Sequence, residues 1–294
     1  MAQARTDVPA PVTATPFLKW AGGKAQVLPQ LAPLFPARFE RYHEPFVGGG
    51  AVFFALASQR RGLAATLIDA NPDLMNCYRV VRDRLADLMP LLREHQANHA
   101  KDYYYALRAQ HDLPPVEAAA RFIYLNKTCY NGLYRVNSKG QFNVPMGNYV
   151  HPRILDEEVL RAASDALQGV DLVTGDFSQV LEEAQEGDFI YFDPPFVPVS
   201  PTANFTGYWV SRAGKAGFGE EEQARLAQVY RELDRRGCKL VLSNSDCDLI
   251  HDLYAGFDIR MVQVPRLINS NPEKRGPVAE VVVRNFSAAD HRWR

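Results

Sequence analysis

The segment Asp193-Pro194-Pro195-Phe196 combines a carboxylate with an aromatic ring, two groups that can bind a ligand. Residues 187–192 before it contain aromatic and β-branched side chains and predict a buried strand. Prolines cannot donate to a strand ladder, so they end the strand and leave the carboxylate at its carboxyl end. In open α/β sheets, ligands bind at that edge. The simpler alternative is a strand terminator with a solvated aspartate.

A glycine-rich loop, Gly48-Gly49-Gly50, follows a short predicted strand and precedes the apolar start of a helix. Three glycines let a ligand approach the main chain, and the helix N-terminus offers free N–H groups. The next predicted strand ends in Asp69, 19 positions after Gly50, the interval at which an acidic residue can bind ribose hydroxyls in a βαβ unit. These features predict a nucleoside-like ligand. The glycine spacing is not Gly-x-Gly-x-x-Gly, which weakens a dinucleotide interpretation.

The N-terminal region has a disordered tail and then a second ligand-binding candidate. Residues 1–16 are rich in Ala, Pro and Thr, which predicts a tail and not a signal peptide. Trp20 then lies between Lys19 and Lys24, beside a tight turn at Gly22-Gly23. This tryptophan could pack on a planar ligand, or it could anchor the N-terminal arm to the core.

A basic and aromatic segment lies near the middle of the chain. Residues 126–147 predict a hairpin that turns at Asn137 to Gly140. Between Ala118 and Leu155 there is no Asp or Glu, and Arg and Lys are interleaved with Tyr and Phe. Such a pattern suits phosphate contact and base stacking. The alternative is a solvated hairpin with charge of one sign.

The composition excludes several classes of protein. The chain has 294 residues, 47% of them hydrophobic, and a net charge of −1, so only a local patch could bind nucleic acid. No apolar run of about 18 residues is present, and we expect no membrane span. The four cysteines form no Cys-x-x-Cys pair, which favours reduced thiols in a cytoplasmic protein without a metal site.

The predicted elements must bring these groups together. Strands and helices alternate up to about residue 75 and again from 168, whereas residues 76–167 are mostly helical apart from the predicted hairpin. We therefore expect an α/β protein with a Rossmann-like sheet and helices on both faces. This α/β unit would comprise residues 17–75 and 168–294, with a mostly helical unit inserted at 76–167.

These stretches together resemble the Dam-type (D12 class) DNA adenine-N6 methyltransferases, in the alpha arrangement that places the recognition domain between the cofactor and catalytic motifs. The resemblance covers about residues 17–286 and implies a catalytic domain at 17–75 and 168–294 with a target-recognition domain at 76–167. It rests on Lys19-Trp20-Ala21-Gly22-Gly23-Lys24, Glu44-Pro45-Phe46-Val47-Gly48-Gly49-Gly50, Asp69-Ala70-Asn71, Tyr130-Asn131-Gly132-Leu133-Tyr134-Arg135, Phe142-Asn143-Val144-Pro145, Gly175-Asp176-Phe177 and Asp193-Pro194-Pro195-Phe196.

The resemblance implies S-adenosyl-L-methionine as the methyl donor and double-stranded DNA as the substrate. The cofactor-binding residues it implies are Trp20, Lys24, Phe46, Gly48, Gly50, Asp69, Asp176, Phe177 and Asp193. The DNA-binding residues it implies are Lys19, Tyr130, Asn131, Leu133, Arg135 and Pro145. The segment around Leu133 and Arg135 looks like that of enzymes that read GATC. Arg135 could bind guanine, and Leu133 and Pro145 could contact thymine methyl groups.

The catalytic residues implied are Asp193, Pro194 and Phe196. The lone pair of adenine N6 is delocalised into the ring, so this nitrogen needs acceptors for its hydrogens rather than a covalent catalyst. The Asp193 carboxylate and the Pro194 carbonyl can supply them once the base has left the helix, while Phe196 stacks on it. The family usually has Tyr at position 196, so its hydroxyl is absent here.

Other functions stay open from sequence alone. Cytosine-N4 or RNA adenine methylation would use the same scaffold, an NAD-binding oxidoreductase would use the glycine loop and Asp69, and a non-catalytic DNA-binding protein would use the basic segment. We expect a monomer in the cytoplasm, associated with the nucleoid, that could have a cognate restriction enzyme.

Overall fold

A seven-stranded mixed β-sheet organises the part of the chain that the computed structural model describes, residues 13–198, 217–265 and 277–287. The strands lie in the order β3-β2-β1-β4-β5-β7-β6. Strand β7 runs in the opposite direction to the other six strands of this sheet. The strands are β1 (Tyr42–Glu44), β2 (Ala65–Asp69), β3 (Asp171–Thr174), β4 (Phe189–Phe192), β5 (Lys239–Ser245), β6 (Asp258–Pro265) and β7 (Pro277–Arg284).

The chain order reverses between β1 and β4, at the centre of the sheet. Tyr42 of β1 pairs with Ala65 of β2 on one side and with Phe189 of β4 on the other. From β1 the chain continues to β2 on one side, and from β4 it continues to β5 on the other side. The two connections diverge, which leaves a crevice at the carboxyl ends of β1 and β4. Ligands bind in such a crevice in open α/β sheets.

Helices cover both faces of the sheet. Phe189 and Tyr191 of β4 join one apolar cluster, and Ile190 and Phe192 join a second, as expected for side chains that alternate along a strand. The first cluster includes residues of α2, α3 and α6, and the second includes residues of α9. The helices are α1 (Leu28–Leu31), α2 (Ala51–Gln59), α3 (Pro72–Asp83), α4 (Leu85–Ala97), α5 (Lys101–Arg108), α6 (Pro115–Thr128), α7 (Glu157–Ala166), α8 (Val180–Glu183), α9 (Glu220–Arg235) and α10 (Asp248–Leu253).

Five helices, α3 to α7, separate β2 from β3, in agreement with the break in strand–helix alternation expected from the sequence. Asn71 caps α3 through hydrogen bonds from the main-chain N–H groups of Asp73 and Leu74, and Pro72 occupies its first position. The guanidinium of Arg79 on α3 donates to the Thr174 hydroxyl of β3 at 2.7 Å. Helix α3 thus joins the helical region to the sheet.

The segment expected to form a hairpin folds back on itself without regular strands. Isolated antiparallel bridges join Cys129 to Met146 and Val136 to Phe142. The turn at its tip is closed by a 2.9 Å hydrogen bond from the Gly140 N–H to the Asn137 carbonyl. A continuous ladder is interrupted because Pro145 has no N–H and because residues 130–132 form a 3-10 turn.

Order extends further towards the N-terminus than expected. Ala14 is buried, and its carbonyl accepts a hydrogen bond from the Ser58 hydroxyl at 3.2 Å. The expected disordered tail over residues 1–16 is therefore wrong for residues 13–16, because Ala14 packs on the core. Residues 1–12 lie outside the described part of the chain. No helix among the described residues is long and apolar enough to cross a membrane.

Candidate active site

Asp193 lies at the carboxyl end of β4 and forms a partly buried ion pair with Lys24. The Lys24 Nζ is 2.7 Å from Oδ1 of Asp193, and the two side chains are 6% and 19% exposed. The ammonium also donates to the Gly22 carbonyl at 2.9 Å. Burial raises the pKa of Asp193, and the positive charge of Lys24 opposes that rise. Lys24 therefore both orients the carboxylate and favours its ionised form.

Phe196 lies next to this ion pair. The Lys24 Nζ is over the Phe196 ring, 4.6 Å from its centroid, and the ring is half-buried. This distance is within the range of a cation–π contact. The ammonium thus contacts both the carboxylate and the aromatic ring that the sequence singled out.

The glycine loop packs directly against Trp20. Gly48 has a φ of +47°, and a Cβ there would lie 2.7 Å from the indole Nε1 of Trp20. The hydroxyl of Tyr78 donates to the Gly48 carbonyl at 3.0 Å. Trp20 is also stacked on Tyr134, with centroids 5.9 Å apart. Trp20 therefore anchors the N-terminal arm and also forms one wall beside the loop.

Asp69, at the end of β2, binds the glycine loop. Its Oδ2 accepts from the Gly48 N–H at 3.0 Å, and its Oδ1 accepts from the Asn71 N–H at 2.9 Å. Burial raises its pKa to about 6. The acidic residue and the loop, predicted to be neighbours from their spacing, are thus joined by a hydrogen bond.

Asp176 and Phe177 lie after β3, where Arg225 of α9 contacts both. The two guanidinium Nη atoms bind the two carboxylate oxygens of Asp176 at 2.7 Å each. Burial raises the pKa of Asp176, but hydrogen bonds from Arg225 and Ser178 outweigh burial and leave it below its usual value. The guanidinium is 4.0 Å from the Phe177 ring centroid, and Phe46 stacks on the same ring at 5.3 Å. Sequence reasoning missed Arg225 because a helical Arg carries no local signal of such a contact.

Two further acidic residues lie near Asp193: Glu44, which is buried, and Glu280, which is partly buried. The Oε2 of Glu44 accepts from the Tyr42 hydroxyl at 2.8 Å and from the Phe53 N–H of α2 at 3.1 Å. Burial raises the pKa of Glu44 to about 8. Burial also raises the pKa of Glu280 on β7, and the charge of Lys24 opposes this rise. Among the described residues, no group of three or more His, Cys, Asp or Glu side chains is arranged to hold a metal ion.

The residues expected to contact DNA surround the turn at residues 130–132. Tyr130 is 54% exposed, and its N–H donates to the Pro145 carbonyl at 2.9 Å. The side chain of Lys19 packs on Gly132, where a Cβ would lie 2.6 Å from the lysine Cβ. The N-terminal motif and the central basic segment are therefore neighbours in space.

The other residues of this group differ in exposure. Asn131 is exposed and adopts a left-handed conformation, with a φ of +54°. Leu133 is half-buried against the main apolar cluster. Arg135 is exposed, and its Nε donates to the Asn143 side-chain carbonyl at 2.7 Å. Tyr130, Asn131 and Arg135 are thus accessible to a macromolecular ligand.

Comparison of the chain with a family model and comparison with individual proteins agree with each other. Residues 20–267 match the family model described as D12 class N6 adenine-specific DNA methyltransferase. The chain is 43% identical to the type II methyltransferase M.MjaIII of Methanocaldococcus jannaschii, over 92% of this chain and 99% of the relative. It is 41% identical to the type II methyltransferase M1.LlaDCHI of Lactococcus lactis subsp. cremoris, over 92% and 95%. It is 37% identical to the DNA adenine methylase of Haemophilus influenzae, over 91% and 92%.

Proposed function

Because the chain belongs to the D12 class of N6 adenine-specific DNA methyltransferases, we propose that Asp193, Pro194 and Phe196 hold a flipped adenine for methyl transfer from S-adenosylmethionine. The observation that carries this assignment is the partly buried Asp193 carboxylate at the central crevice of the sheet, bound by Lys24 at 2.7 Å. A carboxylate in this position can accept a hydrogen bond from the N6 amino group without needing to become a nucleophile.

The residues around the crevice fit the proposed cofactor. The glycine loop packs closely against Trp20 and Tyr78, and Asp69 places a carboxylate beside it for the ribose hydroxyls. Phe46 and Phe177, both buried, stack on each other at the carboxyl ends of the strands, and contact of this pair with the adenine of the cofactor is part of the proposal. Trp20 and Lys24 complete the side next to Asp193. When bound, S-adenosylmethionine supplies an activated methyl group on a sulfonium sulfur.

The ion pair determines what Asp193 can offer to the base. Lys24 binds Oδ1, which leaves Oδ2 as the second carboxylate oxygen to accept from the N6 amino group. As N6 attacks, positive charge develops on that nitrogen, and a fixed carboxylate at hydrogen-bond distance stabilises it. The Pro194 carbonyl is the second acceptor in this proposal. Phe196 holds the base in place by stacking, since a flipped adenine has lost the stacking of the duplex.

Residues 76–167, which include the helices α4 to α7 and the segment at 126–147, are the target-recognition domain in this proposal. The residues proposed to face the duplex are Lys19, Tyr130, Asn131, Leu133, Arg135 and Pro145. The proposed recognition sequence is GATC. Arg135 would bind guanine, because its side chain is exposed and braced by Asn143. Two of the relatives are type II methyltransferases by name, which supports a cognate restriction enzyme as a partner.

Labelled methyl transfer tests the assignment. The wild-type protein should incorporate label into a duplex that contains GATC and not into a duplex that lacks adenine. Asp193→Ala should abolish incorporation while the protein still binds S-adenosylmethionine. Duplexes in which each base pair of GATC is changed in turn then test the recognition site. Label in the adenine-free duplex, or full activity of Asp193→Ala, would refute the assignment.

A further inference from the structure

Two buried amide side chains hold the main chain on both sides of Phe196. Gln223 of α9 donates from Nε2 to the Pro195 carbonyl at 2.9 Å. Asn244 of β5 accepts at Oδ1 from the Val197 N–H at 3.1 Å. The two amides also bind each other, since Nδ2 of Asn244 donates to Oε1 of Gln223 at 3.1 Å. The two residues are only 1% and 0% exposed.

Only one orientation of both amides satisfies this network. Asn244 faces two main-chain donors, the N–H groups of Val197 and Ser245, so its oxygen must point towards them. Its nitrogen must then face Gln223, whose oxygen accepts from it. The nitrogen of Gln223 is therefore left to donate to the Pro195 carbonyl. The Ser245 hydroxyl adds a third restraint by donating to the Val197 carbonyl at 2.7 Å.

These bonds restrain φ and ψ of Phe196. Pro194 and Pro195 fix their own φ angles, but they do not fix φ and ψ of Phe196. The Pro195 carbonyl belongs to the peptide plane before Phe196, and the Val197 N–H belongs to the plane after it. Holding both planes fixes the main chain of Phe196 and the direction of its Cα–Cβ bond. The amides thus extend the rigidity of the two prolines across the aromatic residue.

We propose that Gln223 and Asn244 are positioning residues for the reaction, which act by fixing Phe196 against the target adenine. This inference rests on the proposed stacking role of Phe196. Neither amide contacts the base in this arrangement; each acts through the main chain. A misplacement of about 1 Å at the reacting centre can lower a rate on the order of 100-fold, so a loosened turn should affect the chemical step.

The test compares Gln223→Met and Asn244→Leu with Asn244→Asp, which keeps acceptors for the Val197 and Ser245 N–H groups. The first two variants should lower the single-turnover rate by about 10-fold to 100-fold, with little change in KM for S-adenosylmethionine or in DNA affinity. Asn244→Asp should retain more of the rate than Asn244→Leu. The matched control is Asn285→Leu. It removes an amide that binds main-chain groups at the other end of β5, the Leu240 N–H and the Cys238 carbonyl. It should lower thermal stability without lowering the rate.

A fluorescence measurement separates positioning from general destabilisation. A duplex with 2-aminopurine at the target position should become fluorescent when the base leaves the stack, and contact with the Phe196 ring should quench part of that signal. Phe196→Ala should remove the quenching, and Gln223→Met should remove much of it at a temperature at which both proteins are fully folded. A rate loss in Gln223→Met that follows only its loss of folded protein would overturn the inference.

Phe196→Ala also distinguishes the inference from the proposed function. If Phe196→Ala lowers the rate and Gln223→Met does not, the positioning role is wrong and the stacking role stands. If Phe196→Ala changes neither rate nor quenching, the stacking role is wrong. The inference that the amides act through Phe196 is then wrong as well, whatever Gln223→Met does.

Discussion

Replacing Lys24 by Met should move the acidic limb of the pH–rate profile to higher pH. The Lys24 ammonium is 2.7 Å from Asp193 Oδ1, and burial already raises the pKa of that carboxyl. At this distance and an effective dielectric constant of about 20, the Coulomb attraction amounts to about 6 kcal/mol. The hydration that Lys24 loses on burial offsets part of this attraction, and the remainder lowers the pKa of Asp193.

The sign of the effect follows from the role proposed for Asp193. Without Lys24 only the burial effect remains, so the pKa of Asp193 rises further and the carboxylate is lost at a higher pH. Methylation should therefore fall at a higher pH in Lys24→Met than in the wild type. Above its new pKa the variant should recover much of its rate, because the carboxylate is then ionised again.

Single-turnover methylation at saturating S-adenosylmethionine and duplex, from about pH 5 to pH 9, measures this shift. Saturation of each variant is verified by direct cofactor binding, because Lys24 also lies in the proposed cofactor site. Lys24→Arg keeps the positive charge and should leave the acidic limb close to that of the wild type. An acidic limb that does not move in Lys24→Met would refute the reasoning, since it would mean that the ion pair does not control the ionisation of Asp193.

Three further predictions concern residues around the same crevice. The affinity of the wild type for S-adenosylmethionine should weaken as the pH falls through about 6, because Asp69 then becomes protonated. Calorimetry on Asp69→Asn should show weak binding without that pH dependence. Burial raises the folded-state pKa of Glu44 to about 8, so the folded state binds this proton more tightly than the unfolded state does. The free energy of unfolding should therefore fall as the pH rises towards 8. Glu44→Gln should flatten this fall in urea titrations, and an unchanged slope would contradict it. Gly48→Ala places a Cβ 2.7 Å from Trp20 at a φ of +47°, so it should lower the melting temperature and the cofactor affinity together, whereas Gly62→Ala, at a positive φ with open space, should lower only stability.

The positions of the chemical groups could be predicted from the sequence because parallel strands end at a common edge. The structure places Asp69, Asp176 and Asp193 at the carboxyl ends of three parallel strands, β2, β3 and β4. The partners of these groups could not be predicted in the same way. Arg225 and Gln223 lie within the amphipathic pattern of α9, and their contacts depend on how that helix packs on the sheet.

The segment at 129–147 shows a different limit of sequence reasoning. Its turn follows from local chemistry, because Asn137 Oδ1 accepts from the N–H groups of Lys139 and Gln141. Its path beyond the turn is set by tertiary contacts. The Val144 carbonyl accepts from the Tyr104 hydroxyl at 2.9 Å, so it bonds to α5 instead of to a partner strand. Local patterns predict turns well, but they do not reveal where a main-chain group finds a distant partner.

The replacement of the usual Tyr by Phe at position 196 can be understood from the contacts of the ring. Lys24 lies over the ring at 4.6 Å from its centroid, so a flipped adenine in the proposed site would use the opposite face. Both contacts depend on the π face, which Phe and Tyr share, rather than on a hydroxyl at the ring edge. The main chain of residue 196 is held by Gln223 and Asn244, whose bonds do not involve its side chain. Orientation of the ring therefore does not require a hydrogen bond from a Tyr hydroxyl, which explains how a phenylalanine can serve at this position.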